Sequence, residues 1–277
     1  MKNIFLALII LCLSAPAFAA EKESTFDRVT RTQTIRCGYA DWSPFLVKDP
    51  NTGKISGLFY DVMEQLGKRL NIKIDWTEEV GYGAIIEGLR AGRYDMICTA
   101  LAQNSTRVKA VDFSMPLFFM PFYVISRKDD TRFDKTYDIL NDPKYKLAVL
   151  DGELSSVMAA QFFPKATQDA LSQTADLSLM LKEVETKKAD VGFLEPVTFM
   201  DYEAKNPGLL KIVDKSRPLN MFAVSFLLPI NDTPFKRMID VTLNELVNDG
   251  TLTPLIKKYE KYPGTMLLPT PPYQMPK

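Results

Sequence analysis

Between Thr34 and Cys98 the chain alternates strand, helix, strand, helix, strand, and no other feature narrows the possible folds as much. Thr34-Ile35-Arg36-Cys37-Gly38-Tyr39 reads as a strand. Trp42-Ser43-Pro44-Phe45 turns the chain, and Asp49-Pro50-Asn51-Thr52-Gly53 marks a turn between two extended pieces. From Gly57 to Leu70, Phe59, Met63, Leu66 and Leu70 recur at three- and four-residue steps, which predicts a helix with one apolar face. Asn71–Trp76 follows as a strand, Tyr82–Leu89 as a helix stopped by Gly92, and Asp95–Cys98 as a short buried strand. Strands separated by helices cross over in the same direction and build a parallel sheet with covering helices. The last strand opens into a loop of small and polar residues, Thr99–Thr106, and then Arg107, whose planar fork of donors suits a carboxylate.

Phe118–Ser126 is a further extended apolar run, after which the rhythm restarts. Lys146–Leu150, Ala189–Leu194 and Leu209–Val213 read as strands, with helices near Ser155–Phe163, Leu177–Thr186 and Val197–Ala204. Met221–Leu228 is again extended. Two helices follow, the first capped by Thr233 with Pro234 at its opening position, the second starting in the same way at Thr253-Pro254. This order predicts a second α/β unit inserted into the first. Lobe 1 spans 34–124 and 222–263, lobe 2 spans 125–221, and two extended crossings near 122–127 and 219–226 make a hinge with a ligand cleft between the lobes.

The ends read differently. Lys2, an apolar run from Ile4 to Leu13 and Ala17-Phe18-Ala19 have the anatomy of a secretory signal peptide over 1–19. The run falls short of the ~20 residues of a membrane span, and Cys12 lacks the setting of a lipid-attachment cysteine. Residues 20–33 are a polar leader or short helix, and 264–277 a Pro-rich irregular tail. Loss of the signal removes Lys2 and no acid, leaving 33 basic against 34 acidic residues, so nothing favours nucleic acid or an anionic surface. The chain has no histidine, which excludes Ser-His-Asp and Cys-His catalysis and histidine-bound zinc; no cofactor or metal is expected. Cys37 and Cys98 could bridge in an oxidising compartment. Both sit in apolar strand-like runs where a free cysteine acts as a small hydrophobe, and adjacent strands often hold paired side chains poorly for a disulfide.

Taken in order, these segments resemble the periplasmic solute-binding proteins of ABC importers, family 3. Ile35-Arg36-Cys37-Gly38 is similar to the opening strand, Trp42-Ser43-Pro44-Phe45 to aromatic-x-Pro-Phe, Gly57-Leu58-Phe59-Tyr60-Asp61 to Gly-Phe-Asp-x-Asp, and Gly92-Arg93-Tyr94-Asp95 to Gly-Lys-x-Asp. Tyr82 with Ile85, Ile86 and Leu89 resembles the family's second helix, and Arg107 with Val111-Asp112-Phe113-Ser114 its arginine loop. Leu243–Leu246 through Asp249-Gly250-Thr251 resembles its last helix and stop. The resemblance runs from about Thr34 to Pro263. It implies a type II periplasmic-binding-protein fold, with two lobes, each a mainly parallel sheet flanked by helices, joined by two hinge strands.

The resemblance also implies roles. Arg107 would take a ligand carboxylate and Glu195 an ammonium, with Trp42 and Tyr82 as aromatic walls and Ala100 and Ala102 offering backbone groups. Two departures stand out. Asn104 replaces the hydroxyl residue that braces the arginine loop. Asp151-Gly152-Glu153-Leu154-Ser155 replaces a Gly-Thr-Thr-like opening of a helix, so that Glu153 would repel an anion if it faced the cleft, beside Gly152. The expected activity is non-catalytic capture of a small polar ligand, an amino acid or related compound, by a periplasmic monomer that delivers it to a membrane permease. Two alternatives remain open: a dehydratase similar to cyclohexadienyl dehydratase, motivated by Glu153 and Glu195, and a solute-sensing module docking on a receptor.

Overall fold

The computed structural model describes residues 23–269. The segment read as a signal peptide, with Cys12, and the end of the tail lie outside the described residues. No helix among them is long and apolar enough to cross a membrane.

In chain order, α1 (Thr25–Thr32) enters β1 (Thr34–Tyr39), and a small hairpin of β2 (Val47–Lys48) and β3 (Ile55–Ser56) leads to α2 (Leu58–Leu70). Next come β4 (Lys73–Glu79), a 3-10 turn at Tyr82–Ala84 running into α3 (Ile85–Arg90), β5 (Met96–Ala102), β6 (Val111–Phe113) and β7 (Phe118–Arg127). The second unit holds β8 (Lys146–Leu150), α4 (Leu154–Phe162), β9 (Thr167–Leu171), α5 (Ser178–Glu185), β10 (Val191–Leu194), α6 (Pro196–Lys205) and β11 (Leu210–Ile212). The chain returns through β12 (Asn220–Pro229) to α7 (Thr233–Asn248) and α8 (Leu252–Tyr259).

The strands run side by side in the order β4-β1-β5-β12-β7-β10-β8-β9. The outer groups, β4-β1-β5 and β10-β8-β9, are parallel, as helical crossovers require. The central pair, β12 and β7, is antiparallel. Strand β7 changes partner midway: Phe118–Phe122 pair with β12, and Tyr123–Ser126 with β10. These two strands join the lobes, at the crossings the extended apolar runs predict.

Burial follows the same division. One core gathers around β1, α2, β5, α7 and α8. In the second lobe the strands are covered on both faces. Leu147 and Val149 of β8 point into one cluster, Ala148 and Leu150 into the other, the period-two alternation of a strand. Tyr94 is 1% exposed and wedges between β1 and α3, its hydroxyl donating to the Ile85 carbonyl. Gly38 and Gly88 make that possible, since a Cβ on either would lie within 2.7 Å of the tyrosine ring or its oxygen.

Three expectations are corrected, and one question left open is decided. Strand β5 continues to Ala102, beyond Cys98, because Thr99–Ala102 are buried and Leu101 and Ala102 pair with β12. The cap of α7 is Asp232, whose carboxylate accepts from Phe235 N at 3.1 Å and also from Phe26 N, while Thr233 is the first helical residue. Helix α8 begins at Leu252, ahead of Thr253-Pro254. Cys37 and Cys98 are bridged, with Cα atoms 5.5 Å apart, because parallel pairing of β1 with β5 sets Cys37 opposite Met96 and within reach of Cys98. Two further strands, β6 and β9, carry too little apolar pattern to be read from sequence.

Asp95 is structural. It is 1% exposed and accepts from Arg28, from the Arg36 backbone N at 2.6 Å and from the Arg36 side chain at 2.9 Å, tying α1, β1 and the start of β5 together. At the other end, Leu267 exchanges both backbone hydrogen bonds with Phe119 of β7.

Candidate functional site

Three turns or loops of the first lobe and two helix starts of the second bring polar side chains to one cavity. The turn after β1 brings Trp42, the 3-10 turn before α3 brings Tyr82, and the loop after β5 brings Arg107. From the second lobe, Glu153 at the start of α4 and Glu195 at the start of α6 face them. Both carboxylates occupy N-cap positions because each helix follows directly on a strand, β8 or β10, whose end lies at the cleft. Sites at the carboxyl ends of parallel strands are the general consequence of this topology.

The Arg107 side chain is 6% exposed. Its guanidinium donates to the Ala102 carbonyl at 3.2 Å and, across the cleft, to the Gly152 carbonyl at 3.5 Å. Asn104 braces the loop: its Oδ1 accepts from the backbone N of Arg107 at 2.9 Å and of Thr106 at 3.1 Å. Burial lowers the Arg107 pKa, and the negative charge of Glu153 works against that.

Glu195 is 4% exposed. Its carboxylate accepts from the Thr198 hydroxyl and from the Trp42 indole N–H at 3.4 Å. Burial pushes its pKa up to about 7; the Thr198 and Trp42 bonds oppose the rise and the Glu153 charge adds to it. Glu153, half-buried, caps α4 with its own carboxylate, which accepts from Ser155 N at 2.7 Å. None of Arg107, Glu153 and Glu195 belongs to an ion pair among the described residues. Tyr82 donates to the Asp41 carbonyl at 2.9 Å. Burial, followed by the charges of Glu153, Glu195 and Asp41, raises its pKa well above 10, so the phenol stays neutral.

The remaining walls are apolar, from Met120, Phe122, Leu154, Leu177, Phe222 and Val224. Free space inside is about 30 Å³, room for about one or two water molecules. Outside it, a crevice of about 730 Å³ opens between the lobes, and Trp42, Tyr82 and Leu177 line both spaces. The lobes touch closely beside the cavity: a Cβ on Gly152, whose φ is +70°, would lie 2.5 Å from the Gly83 Cα. Asp201 of α6 accepts from Lys261 at 2.6 Å and from Tyr262 at 2.7 Å, a further link between lobes.

Of the residues singled out from sequence, Arg107, Glu195, Trp42, Tyr82, Ala102 and Glu153 line the cavity together. Ala100 does not; it is wholly buried in the first core. Asn104 and Gly152 act on Arg107 rather than on the cavity wall. Sequence reasoning missed Thr198, three residues after Glu195 at a helix start, a spacing that could have revealed it. Nothing local marks Phe122, Phe222 or Leu177 as cavity residues.

The sequence profile of the bacterial extracellular solute-binding proteins, family 3, matches residues 35–262. A probable histidine-binding protein of Campylobacter jejuni is 25% identical over 269 residues, covering 94% of this chain and 99% of that one. An L-arginine-binding protein of Pseudomonas aeruginosa is 25% identical over 68% of this chain and 69% of its own length. Among solved structures, the ancestral amino acid-binding protein AncCDT-1, a precursor of cyclohexadienyl dehydratase, superposes with a TM-score of 0.71 at 26% identity, covering 86% of this chain and 100% of that chain.

Proposed function

The chain belongs to the bacterial extracellular solute-binding proteins, family 3, and from that premise we propose that its two lobes close on a small amine-bearing ligand, an amino acid or related compound. Residues 1–19 direct export to the periplasm, and the loaded protein delivers its ligand to an ABC permease. Lobe 1 comprises 34–124 and 222–263, and lobe 2 comprises 125–221.

One observation carries the ligand reading. Arg107 and Glu195, 6% and 4% exposed, face one cavity from opposite lobes, and neither has an ionic partner among the described residues. A buried charge without a partner is costly; a zwitterion spanning the cavity supplies a partner to both. Arg107 then holds a carboxylate in a forked pair, Glu195 an ammonium, and the Trp42, Tyr82 and Phe122 rings cover the carbon chain. As the lobes stand, about 30 Å³ of free space does not hold such a ligand, so both its entry and its final seating require the lobes to part about β7 and β12. Because the ligand touches both lobes, it shifts the balance toward closure.

The test is calorimetric titration of the mature protein with a panel of amino acids and amines. At least one member binds, and Arg107→Ala lowers the affinity of a carboxylate-bearing ligand by at least about a hundredfold. Silence across the panel removes the reading. A diacid substrate, as the dehydratase alternative needs, would bring two negative charges to a cavity with one cation and two carboxylates; turnover of prephenate would restore that alternative.

A further inference from the structure

Resting on that reading of the cleft, we infer that the site selects an organic cation of net charge +1, and that Glu153 sets this preference. The cavity holds one cationic side chain, Arg107, against two carboxylates, Glu153 and Glu195. Were Arg107 and Glu195 alone present, a neutral zwitterion would balance them. With Glu195 ionised, the form a bound cation favours, Glu153 leaves one negative charge over. It is held in place, since its carboxylate accepts from Ser155 N at 2.7 Å as the N-cap of α4 and lies in the same cavity wall as Arg107, Tyr82 and Glu195.

This cap also occupies the end of α4, where free backbone N–H groups would otherwise favour a ligand carboxylate. An anion is therefore met by Arg107 alone, beside a fixed negative charge. A cationic group is met by two carboxylates that have only neutral donors as partners: Trp42 and Thr198 for Glu195, Ser155 N for Glu153.

The approach to the cavity has the same sign. Along the outer crevice lie Asp41, Glu79, Asp176 and Asp201 against a single Lys205. Glu79 is paired with Lys48 and Asp201 with Lys261, while Asp41 and Asp176 accept only backbone N–H groups, of Lys48 and Ser178. The field along the route thus favours cations and opposes anions. Inside, the aromatic walls of Trp42 and Phe122 suit an aliphatic chain that carries the charge.

Two ligand classes share this chemistry: a cationic amino acid, with two ammonium-type groups and one carboxylate, and a monoamine with no carboxylate. Titration of the full mature protein with lysine, arginine, glutamine, leucine, glutamate and pentylamine separates them. Lysine or arginine, or pentylamine, binds at least about tenfold more tightly than every neutral or anionic member. Pentylamine matching lysine assigns the carboxylate-free class; lysine far ahead of pentylamine, with loss in Arg107→Ala, assigns the amino-acid class. Glu153→Asn keeps a helix-capping side chain without the charge, and it narrows the cation-over-neutral ratio by about tenfold or more. Glu153→Asp, which caps and keeps the charge, preserves the ratio. Glutamine or leucine binding wild type as tightly as lysine overturns the inference and leaves the amino-acid cleft standing, as does an unchanged ratio in Glu153→Asn. No binding by any member removes the cleft reading and this inference together.

Discussion

Replacing Glu195 by Gln is expected to stabilise the ligand-free protein at alkaline pH while abolishing capture of an ammonium ligand. Glu195 is buried, and its pKa rises from 4.5 to about 7 because burial disfavours the carboxylate. A group whose folded pKa is raised contributes stability that is complete below the unfolded value and lost as pH climbs through the folded one. The wild type thus pays little near pH 4.5 and the full penalty above about 7. A rise of that size corresponds to about 3 kcal/mol at pH 8.5, and to under about 1 kcal/mol at pH 5. Gln retains an oxygen that accepts from Thr198 and Trp42, so the local bonds survive the change. In a domain pair of this size the gain amounts to roughly 5–10 °C in Tm at pH 8.5. Scanning calorimetry of wild type and Glu195→Gln between pH 5 and 8.5 measures it. A difference independent of pH, or a variant less stable than wild type at pH 8.5, refutes the reasoning. Wild-type affinity for an amine should also rise as pH passes 7, since the cation favours the ionised carboxylate; the variant should lack that rise.

Further outcomes follow from the packing. Gly152→Ala is expected to block closure, because its Cβ would strike Gly83 at 2.5 Å and the φ of +70° disfavours any side chain. Affinity should fall by at least about tenfold, and small-angle scattering should report a more open shape with ligand present. The double substitution Cys37→Ser and Cys98→Ser frees a loop of sequence separation 61, for an expected loss of about 4 kcal/mol in urea unfolding; an unchanged midpoint would show that the bridge contributes nothing. Asp95→Ala leaves Arg28 and Arg36 without their shared buried partner, costing about 3–5 kcal/mol by the same assay while ligand affinity stays near wild type.

Much of the fold is legible along the chain because it rests on local periodicity. The Phe59, Met63 and Leu66 stripe marks α2 to within a residue at its start, and the apolar runs at 118–126 and 221–228 mark the two joining strands. Strand β9 is hidden for the opposite reason: Thr167–Leu171 is mostly exposed, and only parallel pairing with β8 makes it a strand. Capping at α7 went to Asp232 rather than Thr233 because both are good caps, and the tertiary bond to Phe26 N favours the earlier one.

Sequence by itself determined the two-lobed α/β class, the absence of histidine chemistry and the candidate pair Arg107 and Glu195, since patterns, composition and motif order are all written along one dimension. Three matters waited on the tertiary structure. Cys37 and Cys98 bridge because β1 and β5 are neighbours in space. Glu195 titrates near neutral pH because the folded chain takes water away from it. Glu153 faces the cavity because the N-terminus of α4, which it caps, is aimed there. Charge balance across a cleft depends on which side chains share a volume, and only the packing of one lobe against the other creates that volume.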